Sequence, residues 1–345
     1  MRNGASRRPT PPATVRPGSR PSGSRRRTVI AAFPWALCTG MAAAAALRWS
    51  GTPSQPIGVG LQAVSPWLLS PAWPLAIQAA RRRRPLLTTV AFALSVLQVA
   101  ALWPDLGHFG AQPAAPGTVG LRLASANMLL DNQDVRGFAA DLRRLQPDVL
   151  LLQEITPWNL AELKSSGLLD TYPHQVLDPR EGVHGSIIAS RLPLRDGGAF
   201  YVAGWPMTEA QVITDAGPVR VINVHAVAPL AAERIGLWED QLAELGTLRP
   251  PTGGHLIMAG DFNATRQNSA FAQILGPDLR DAYVQAGRGL GNTWPSDRTL
   301  IPGLMRIDHL LISERVQVTS IRTAQTRGSD HRALIAQLAL PALPE

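Results

Sequence analysis

Thiol chemistry is almost missing from this chain of 345 residues. Its single cysteine, Cys38, lies inside an apolar run, which excludes an internal disulfide framework and a cysteine-based zinc site. Lysine is also reduced to one residue, Lys164, and the other basic side chains are arginine. Charged residues make up 17% of the chain, against roughly 25% in ordinary soluble proteins. Apolar material must therefore be concentrated somewhere. The most informative absence is of one sign of charge: no Asp or Glu occurs before Asp105, although thirteen of the 33 basic residues do. The net charge of +8 thus belongs to the N-terminal third. The remainder is mildly acidic, which argues against a basic nucleic-acid footprint.

The N-terminal third explains the low charge. Residues 1–28 are rich in Arg, Pro, Ser and Gly and hold little that can be buried, so they read as a disordered basic tail. Three uncharged runs follow, at Thr28–Leu47, Gly51–Ala80 and Pro85–Pro104, the last two separated by Arg81, Arg82, Arg83 and Arg84. Their lengths suit a bilayer, and residues 29–104 are expected to form a membrane region of about three transmembrane helices. By the positive-inside rule, Arg25–Arg27 and the four consecutive arginines stay in the cytoplasm. The chain after Asp105 then faces the outside, with Trp35, Trp49, Trp67, Trp73 and Trp103 as interfacial anchors. Pro56, Pro66, Pro71 and Pro74 leave a re-entrant second run open, which would place the domain in the cytoplasm instead. A cleaved signal peptide is the alternative for the first run. Residues 105–120, with spaced Gly and Pro, read as a linker.

From residue 121 to 345 the pattern changes. Short apolar strands are expected at Leu121–Asn127, Asp148–Gln153, Gly185–Ser190, Ala210–Thr214, Val219–His225, His255–Ala259, Arg306–Ile312 and Ala333–Leu338. Helices are expected at Val135–Gln146, Trp158–Ser165 and Ala231–Leu245. Such mixing indicates a layered α/β (α+β) domain.

Polar residues recur where these strands end: Asn127; Gln153 and Glu154; Asn223 and His225; Asp261 and Asn263; Ser329, Asp330 and His331. Each alone is most simply a turn residue. Together they can converge on one sheet edge, and oxygen ligands of this kind suit Mg²⁺, Mn²⁺ or Ca²⁺. Asp308 interrupts an apolar run, where an ionised carboxylate is costly unless paired, and His331 is the candidate partner. His174, His184, His255 and His309 read as structural or exposed.

Taken in order, these segments resemble the endonuclease/exonuclease/phosphatase family over nearly all of residues 120–340. The resemblance rests on Ser125-Ala126-Asn127, Leu152-Gln153-Glu154, the Gly185–Pro193 segment, Asn223-Val224-His225, Gly260-Asp261-Phe262-Asn263, Arg306-Ile307-Asp308 and Ser329-Asp330-His331. It implies a four-layer sandwich with two central mixed β-sheets flanked by helices. It also implies a divalent cation, Mg²⁺ or alternatively Mn²⁺, held by Asn127, Glu154 and Asp330. Asp261 would orient or deprotonate the attacking water, and Asn263 would position the phosphate. His225 and His331 would contact phosphate oxygens, and Asp308 would orient His331. The family's pattern is not complete: Ala264-Thr265-Arg266 lacks a common proline, Tyr172 and Tyr201 have no motif support as a site tyrosine, and Gly303-Leu304-Met305-Arg306 replaces an inositol-phosphatase segment.

The arrangement of apolar runs before the domain, with Thr293-Trp294-Pro295, is similar to the bacterial membrane-anchored subgroup that includes the teicoplanin-resistance membrane protein of streptomycetes. That similarity implies an extracytoplasmic hydrolase acting on a lipid-linked phosphate or pyrophosphate of the cell envelope, such as undecaprenyl pyrophosphate, with membrane lipids as surroundings and a link to antibiotic resistance. A membrane-tethered Mg²⁺-dependent nuclease is the alternative, marked by a basic groove around Arg180, Arg191 and Arg195. A non-catalytic membrane binding protein is the third.

Overall fold

Proline decides how the N-terminal third folds. In the computed structural model, which describes residues 23–106, 113–252, 254–297 and 303–342, this part is helical: α1 (Gly23–Ala46), α2 (Pro56–Ala63), α3 (Ser65–Leu68), α4 (Ala72–Arg81) and α5 (Pro85–Leu106). Pro56 and Pro66 stand in the first turns of α2 and α3, and Pro71 immediately precedes α4. A proline has no N–H to give to the preceding turn, so it starts helices better than it continues them. The run expected as a second span is therefore three short helices. Among the described residues one helix, Pro85–Asp105, is long and apolar enough to cross a membrane. The chain reverses at Arg81–Arg84, and α3 and α4 return along α5: Trp73 Nε1 donates to Gln98 Oε1 at 2.8 Å, and Gln98 Nε2 to the Pro66 carbonyl at 2.9 Å. Most of the tail expected at 1–28 lies outside the described residues, although α1 already begins at Gly23.

The rest of the chain forms β1 (Val119–Asn127), α6 (Val135–Leu145), β2 (Val149–Gln153), α7 (Pro157–Ser165), β3 (His174–Asp178), β4 (Ser186–Ser190), β5 (Leu194–Val202), β6 (Trp205–Thr214), β7 (Gly217–His225), α8 (Ala232–Thr247), β8 (His255–Asp261), α9 (Ser269–Ile274), β9 (Leu279–Asp281), α10 (Ala282–Ala286), β10 (Asp308–Ser313), β11 (Gln317–Gln325) and β12 (Arg332–Leu340). Two mixed six-stranded sheets result, in the orders β11-β12-β1-β2-β4-β3 and β5-β6-β7-β8-β10-β9. One apolar core, with Leu123, Leu151, Val221, Ile257, Leu310 and Leu338, lies between the sheets. Phe138 and Leu142 of α6 and Leu160 and Leu163 of α7 cover one outer face, and Trp238 and Leu242 of α8 and Phe271 of α9 cover the other. The layers are thus helix, sheet, sheet, helix.

The eight strands read from the sequence are the inner strands of these sheets. The four it missed, β3, β5, β9 and β11, are the four edges. An inner strand such as β2 buries every residue, whereas β5 leaves most of its residues exposed or half-exposed. Periodicity rests on burial, so an edge strand carries a weaker signal. The strand expected from Arg306 begins only at Asp308, because the Ile307 and Asp308 N–H groups donate to Thr293 Oγ1 instead of to a ladder.

The N-terminal helices and the sandwich are joined by packing and by charge. Val59 of α2 belongs to the outer core under α8. Asn268 Nδ2 donates to the Val59 carbonyl at 3.1 Å, and Arg48 donates to Gln267 Oε1 at 3.0 Å. Asp105, expected to open a linker, lies in α5 and pairs with the buried Arg306; residues 107–112 of that linker lie outside the described residues. Arg306 also donates to both Asp281 oxygens, at 3.2 and 3.0 Å. Burial alone would raise the Asp281 carboxyl, but Arg306, His309 and Arg266 outweigh it and hold it well below the usual carboxylate range. Asp281→Ala is expected to cost about 3–5 kcal/mol in urea unfolding, since it strands a buried guanidinium. Because the folded pKa is depressed, this contribution is complete above a pH of about 4 and is lost as the pH falls further. The gap between wild type and variant should therefore narrow in acid.

Candidate active site

Two parallel strand pairs, one in each sheet, end side by side. In the first sheet β1 and β2 pair so that Asn127 lies opposite Gln153. In the second, β7 and β8 place His225 opposite Asp261, and antiparallel β10 sets Asp308 against Asp261. A cross-sheet bond sets their separation: Gln153 Nε2 donates to Asn223 Oδ1 at 2.6 Å, and Asn223 Nδ2 donates back to the Leu152 carbonyl at 2.9 Å. Both side chains are fully buried between the sheets, where a polar group must find its partner. Asn223, drawn from a motif, thus acts as a rivet between sheets.

At the strand ends the backbone turns sharply. Gly260 has φ +148°, and a Cβ there would meet the Val224 carbonyl oxygen at 1.9 Å. Glycine alone fits, which brings β7 and β8 close just before Asp261. Glu154 and Asn263 have φ of +60° and +48°, a left-handed conformation that is costly for a residue such as Glu. In this conformation Glu154 Oε2 accepts from the Leu130 N–H at 2.8 Å and Oε1 from Asn127 Nδ2 at 2.9 Å.

The sequence-derived residues come together. Asn127 Nδ2 also donates to Asp261 Oδ2 at 3.1 Å, while its Oδ1 accepts from the Leu129 N–H at 3.0 Å. Asp261 Oδ1 accepts from the Asn263 N–H at 2.8 Å. His331 Nδ1 lies 2.9 Å from Asp308 Oδ2, leaving Nε2 facing Asp261 and Asp330 at 3.7 and 3.9 Å. His225 Nε2 lies 3.7 Å from Glu154 and 3.9 Å from Asp261. A cavity of about 460 Å³ opens above. Glu154, His225, Asp261, Asn263, Asp330 and His331 line it, with Asn127 and Asp308 behind them.

Electrostatics follow from this crowding. Burial raises the Asp261 carboxyl and the Asp308 charge adds to it, while His331 and His225 pull the other way. Burial would lower His331, but Asp308, Asp261 and Asp330 outweigh it and hold the imidazole above its ordinary value. Asp330 is the informative residue. Its Oδ2 accepts from Trp294 Nε1 at 2.9 Å, but its Oδ1 is buried with no hydrogen-bond partner among the described residues. A bare carboxylate oxygen near Glu154 and Asp261 is the donor chemistry of a hard divalent cation. A tighter group, Asp261, Asp308 and His331, also has ligand atoms within 4.8 Å of one another. There, however, the Asp308–His331 hydrogen bond already occupies Nδ1, and the pair reads as an orienting dyad.

Two cavity residues escaped the sequence analysis. Trp294 was noted only as part of a segment, yet it fixes Asp330. His184, expected to be structural or exposed, lines the cavity, and its Nδ1 accepts from Trp205 Nε1 at 2.9 Å. Burial first, then the charges of His225 and Arg234, lower it to about 4, so it is neutral and offers Nε2–H. No local pattern marks either residue. Tyr172 is buried against the Pro147 carbonyl and Tyr201 is exposed on β5, and neither lines the cavity. His255 and His309 are buried and structural, on the Pro341 and Ala264 carbonyls.

The family model described as "Endonuclease/Exonuclease/phosphatase family" matches residues 124–331. Among solved structures, one titled endonuclease/exonuclease/phosphatase from Beutenbergia cavernae is 20% identical, with a TM-score of 0.52, over 65% of this chain and 72% of that one. A humanized D. rerio TDP2 is 18% identical, with a TM-score of 0.53, over 64% and 98%. An endonuclease/exonuclease/phosphatase family protein from Bacteroides thetaiotaomicron is 17% identical, with a TM-score of 0.51, over 65% and 98%. These likenesses concern the fold. No curated protein matches the sequence.

The Asp308–His331 pair can be checked directly. In Asp308→Asn, kept in EDTA, the His331 ring should titrate at lower pH than in wild type, because the largest charge holding its pKa up is gone. An unchanged ring titration by NMR would show the pairing to be wrong.

Proposed function

Because the chain belongs to the endonuclease/exonuclease/phosphatase family, whose enzymes are divalent-metal-dependent phosphoesterases or nucleases, we propose that this hydrolase is anchored in a membrane and cleaves a lipid-linked phosphate or pyrophosphate of the cell envelope, such as undecaprenyl pyrophosphate. The observation that carries this reading is that the carboxylate and imidazole floor opens beside the N-terminal helices, which are docked on the domain through Arg306–Asp105 and Arg48–Gln267. Membrane-anchored relatives of the teicoplanin-resistance type are the subgroup this arrangement fits.

Glu154 and Asp330 would hold the cation, Mg²⁺ or Mn²⁺; Asn127, expected as a third ligand, gives its Oδ1 to the Leu129 N–H and its Nδ2 to Glu154 and Asp261, so it would orient these carboxylates. Bound there, it would offset charge on the phosphoryl oxygens and ease deprotonation of water. Asp261 is held by Asn127 and Asn263 with its carboxylate toward the cavity, placed to orient a water and accept its proton at the carboxylate. Its raised pKa suits a base better than an ordinary aspartate. His331, steadied by Asp308, and His225 present Nε2 to the same space, where they can stabilise growing negative charge on phosphate oxygens. Asn263, which lines the cavity and donates Nδ2 to the Ala226 carbonyl at 2.9 Å, would position the phosphate.

Several features support the membrane setting. Phe92, Val96, Val99 and Trp103 of α5 are exposed apolar residues, as are Phe33 and Trp35 of α1, and exposed apolar surface of this extent marks a membrane or partner. With 22 residues, α5 is roughly 33 Å long, enough for a hydrocarbon core of about 30 Å. The C-terminal end of α5 and Arg48, two residues past α1, both bond to the domain through Gln267, so Arg81–Arg84 lie at the far end of α5. That polarity favours an extracytoplasmic domain under the positive-inside rule. The nuclease reading called for a basic groove. Arg180 pairs with Asp178, Arg191 stacks on Tyr172, and none of Arg180, Arg191 and Arg195 lines the cavity.

Purified protein in detergent with Mg²⁺ should release phosphate from undecaprenyl pyrophosphate and leave plasmid DNA intact. Glu154→Ala should lower that release by at least about 10³-fold without unfolding. Turnover that survives excess EDTA would remove the cation from the chemistry, and plasmid nicking without phosphate release would make the protein a nuclease. A reporter enzyme fused after Glu345 should be active only outside the cytoplasm; activity inside would reverse the topology.

A further inference from the structure

The floor of the cavity is polar, but one wall comes from outside the part of the chain that matches the family model. Helix α2 precedes residue 124 by sixty residues and more, yet Pro56, Val59, Gly60 and Ala63 line the same cavity as Glu154 and His331. Their spacing of three, four and seven puts them on one face of the helix. Nothing in that face carries charge or a side-chain hydrogen-bonding group. The wall continues through Val227 and Leu230, and Leu230 is 79% exposed at the approach to α8. Ile57, on another face of α2, is 75% exposed.

The wall is held firmly. Gln62 Nε2 donates to the Leu47 and Gly51 carbonyls at 2.7 and 2.8 Å, Asn268 Nδ2 to the Val59 carbonyl, and Thr52 Oγ1 to Glu239 at 2.8 Å. Gln62 is fully buried. The helix is therefore clamped against the sandwich at its middle and at its entry. A clamped apolar surface facing an open cavity has a free-energy use only if something apolar covers it.

We propose that this face of α2 is a binding subsite for the hydrocarbon chain of the substrate, so that the membrane-anchoring region itself selects among phosphoesters by chain length. The inference rests on the lipid-linked reading and deepens it. A substrate with its phosphate over Asp261 and His331 extends its chain along Val59, Gly60 and Ala63, and leaves past Ile57 and Leu230 toward the bilayer in which α5 lies. A nucleoside would find little on this wall to hydrogen-bond.

Gly60 supplies the test, because a Cβ built there meets nothing within 4 Å. A larger side chain enters the open cavity without disturbing the clamp, and replacing a helical glycine favours the helix. Wild type, Gly60→Ala and Gly60→Phe are compared, as full-length protein in detergent with Mg²⁺, on undecaprenyl pyrophosphate and on isopentenyl pyrophosphate, which has the same headgroup and a short chain. In Gly60→Phe the ratio of kcat/KM for the long chain over the short one should fall by about tenfold, since the ring takes the place of about two methylenes of chain. The loss should lie in KM, Gly60→Ala should lower the ratio less than Gly60→Phe does, and the melting temperature should not drop. If the ratio is unchanged in Gly60→Phe, α2 is no chain subsite although the lipid reading stands. If wild type fails to turn over undecaprenyl pyrophosphate, the lipid reading falls and takes the subsite with it.

Discussion

A single buried guanidinium ties the parts of this molecule together. Arg306 sits between Asp281 at the end of the short edge strand β9 and Asp105 at the end of α5, with Arg266 and His309 on the same aspartate. Its ring neighbour is Tyr283, whose centroid lies 4.7 Å away. A buried charge of this kind has no tolerable alternative partner, so the chain must bring these residues together or leave a desolvated ion. Two residues later β10 begins and presents Asp308 to His331. The pair that orients the site is thus anchored to the pair that seats α5.

This coupling changes the meaning of the N-terminal region. A domain on a flexible linker would take many orientations relative to the helices before it. Here α2 contributes Val59 to the outer core and one face to the cavity, so the mouth of the site holds a constant position relative to α5. The N-terminal helices and one wall of the cavity become one unit, and proline is the reason. Pro56, Pro66 and Pro71 divide an apolar run that would otherwise continue as one helix, and the first short piece is free to turn onto the sandwich.

The chemistry has a similar economy. Carboxylates gathered at the cavity floor repel one another, and the structure answers with hydrogen bonds rather than with neutralising lysines or arginines. Asn127 bridges Glu154 and Asp261, Trp294 holds one oxygen of Asp330, and Asp308 is satisfied by His331. The other Asp330 oxygen, without a donor among the described residues, has the chemistry of a hard-cation ligand.

Much of this was legible in the sequence. Buried strands announce themselves by continuous apolar runs, and the eight inner strands were readable for that reason. So were the residues at their ends, because Asp308 and the polar groups after β1, β2, β7 and β8 interrupt apolar stretches that have no local use for them. The edges β3, β5 and β11 bury little and β9 is only three residues long, so periodicity marked none of them, and proline decided the breakup of the second apolar run in a way that length and hydropathy do not capture. Only the tertiary structure could bring Trp294 to Asp330, His184 to the cavity and α2 to the wall of the site. Those contacts join residues tens to hundreds of positions apart, and such contacts leave no periodicity along the chain. The amino-acid order determined which segments must be buried and which side chains could do phosphoester chemistry. The packing of helix on sheet, through one guanidinium and one apolar helix face, decided what that chemistry looks out upon.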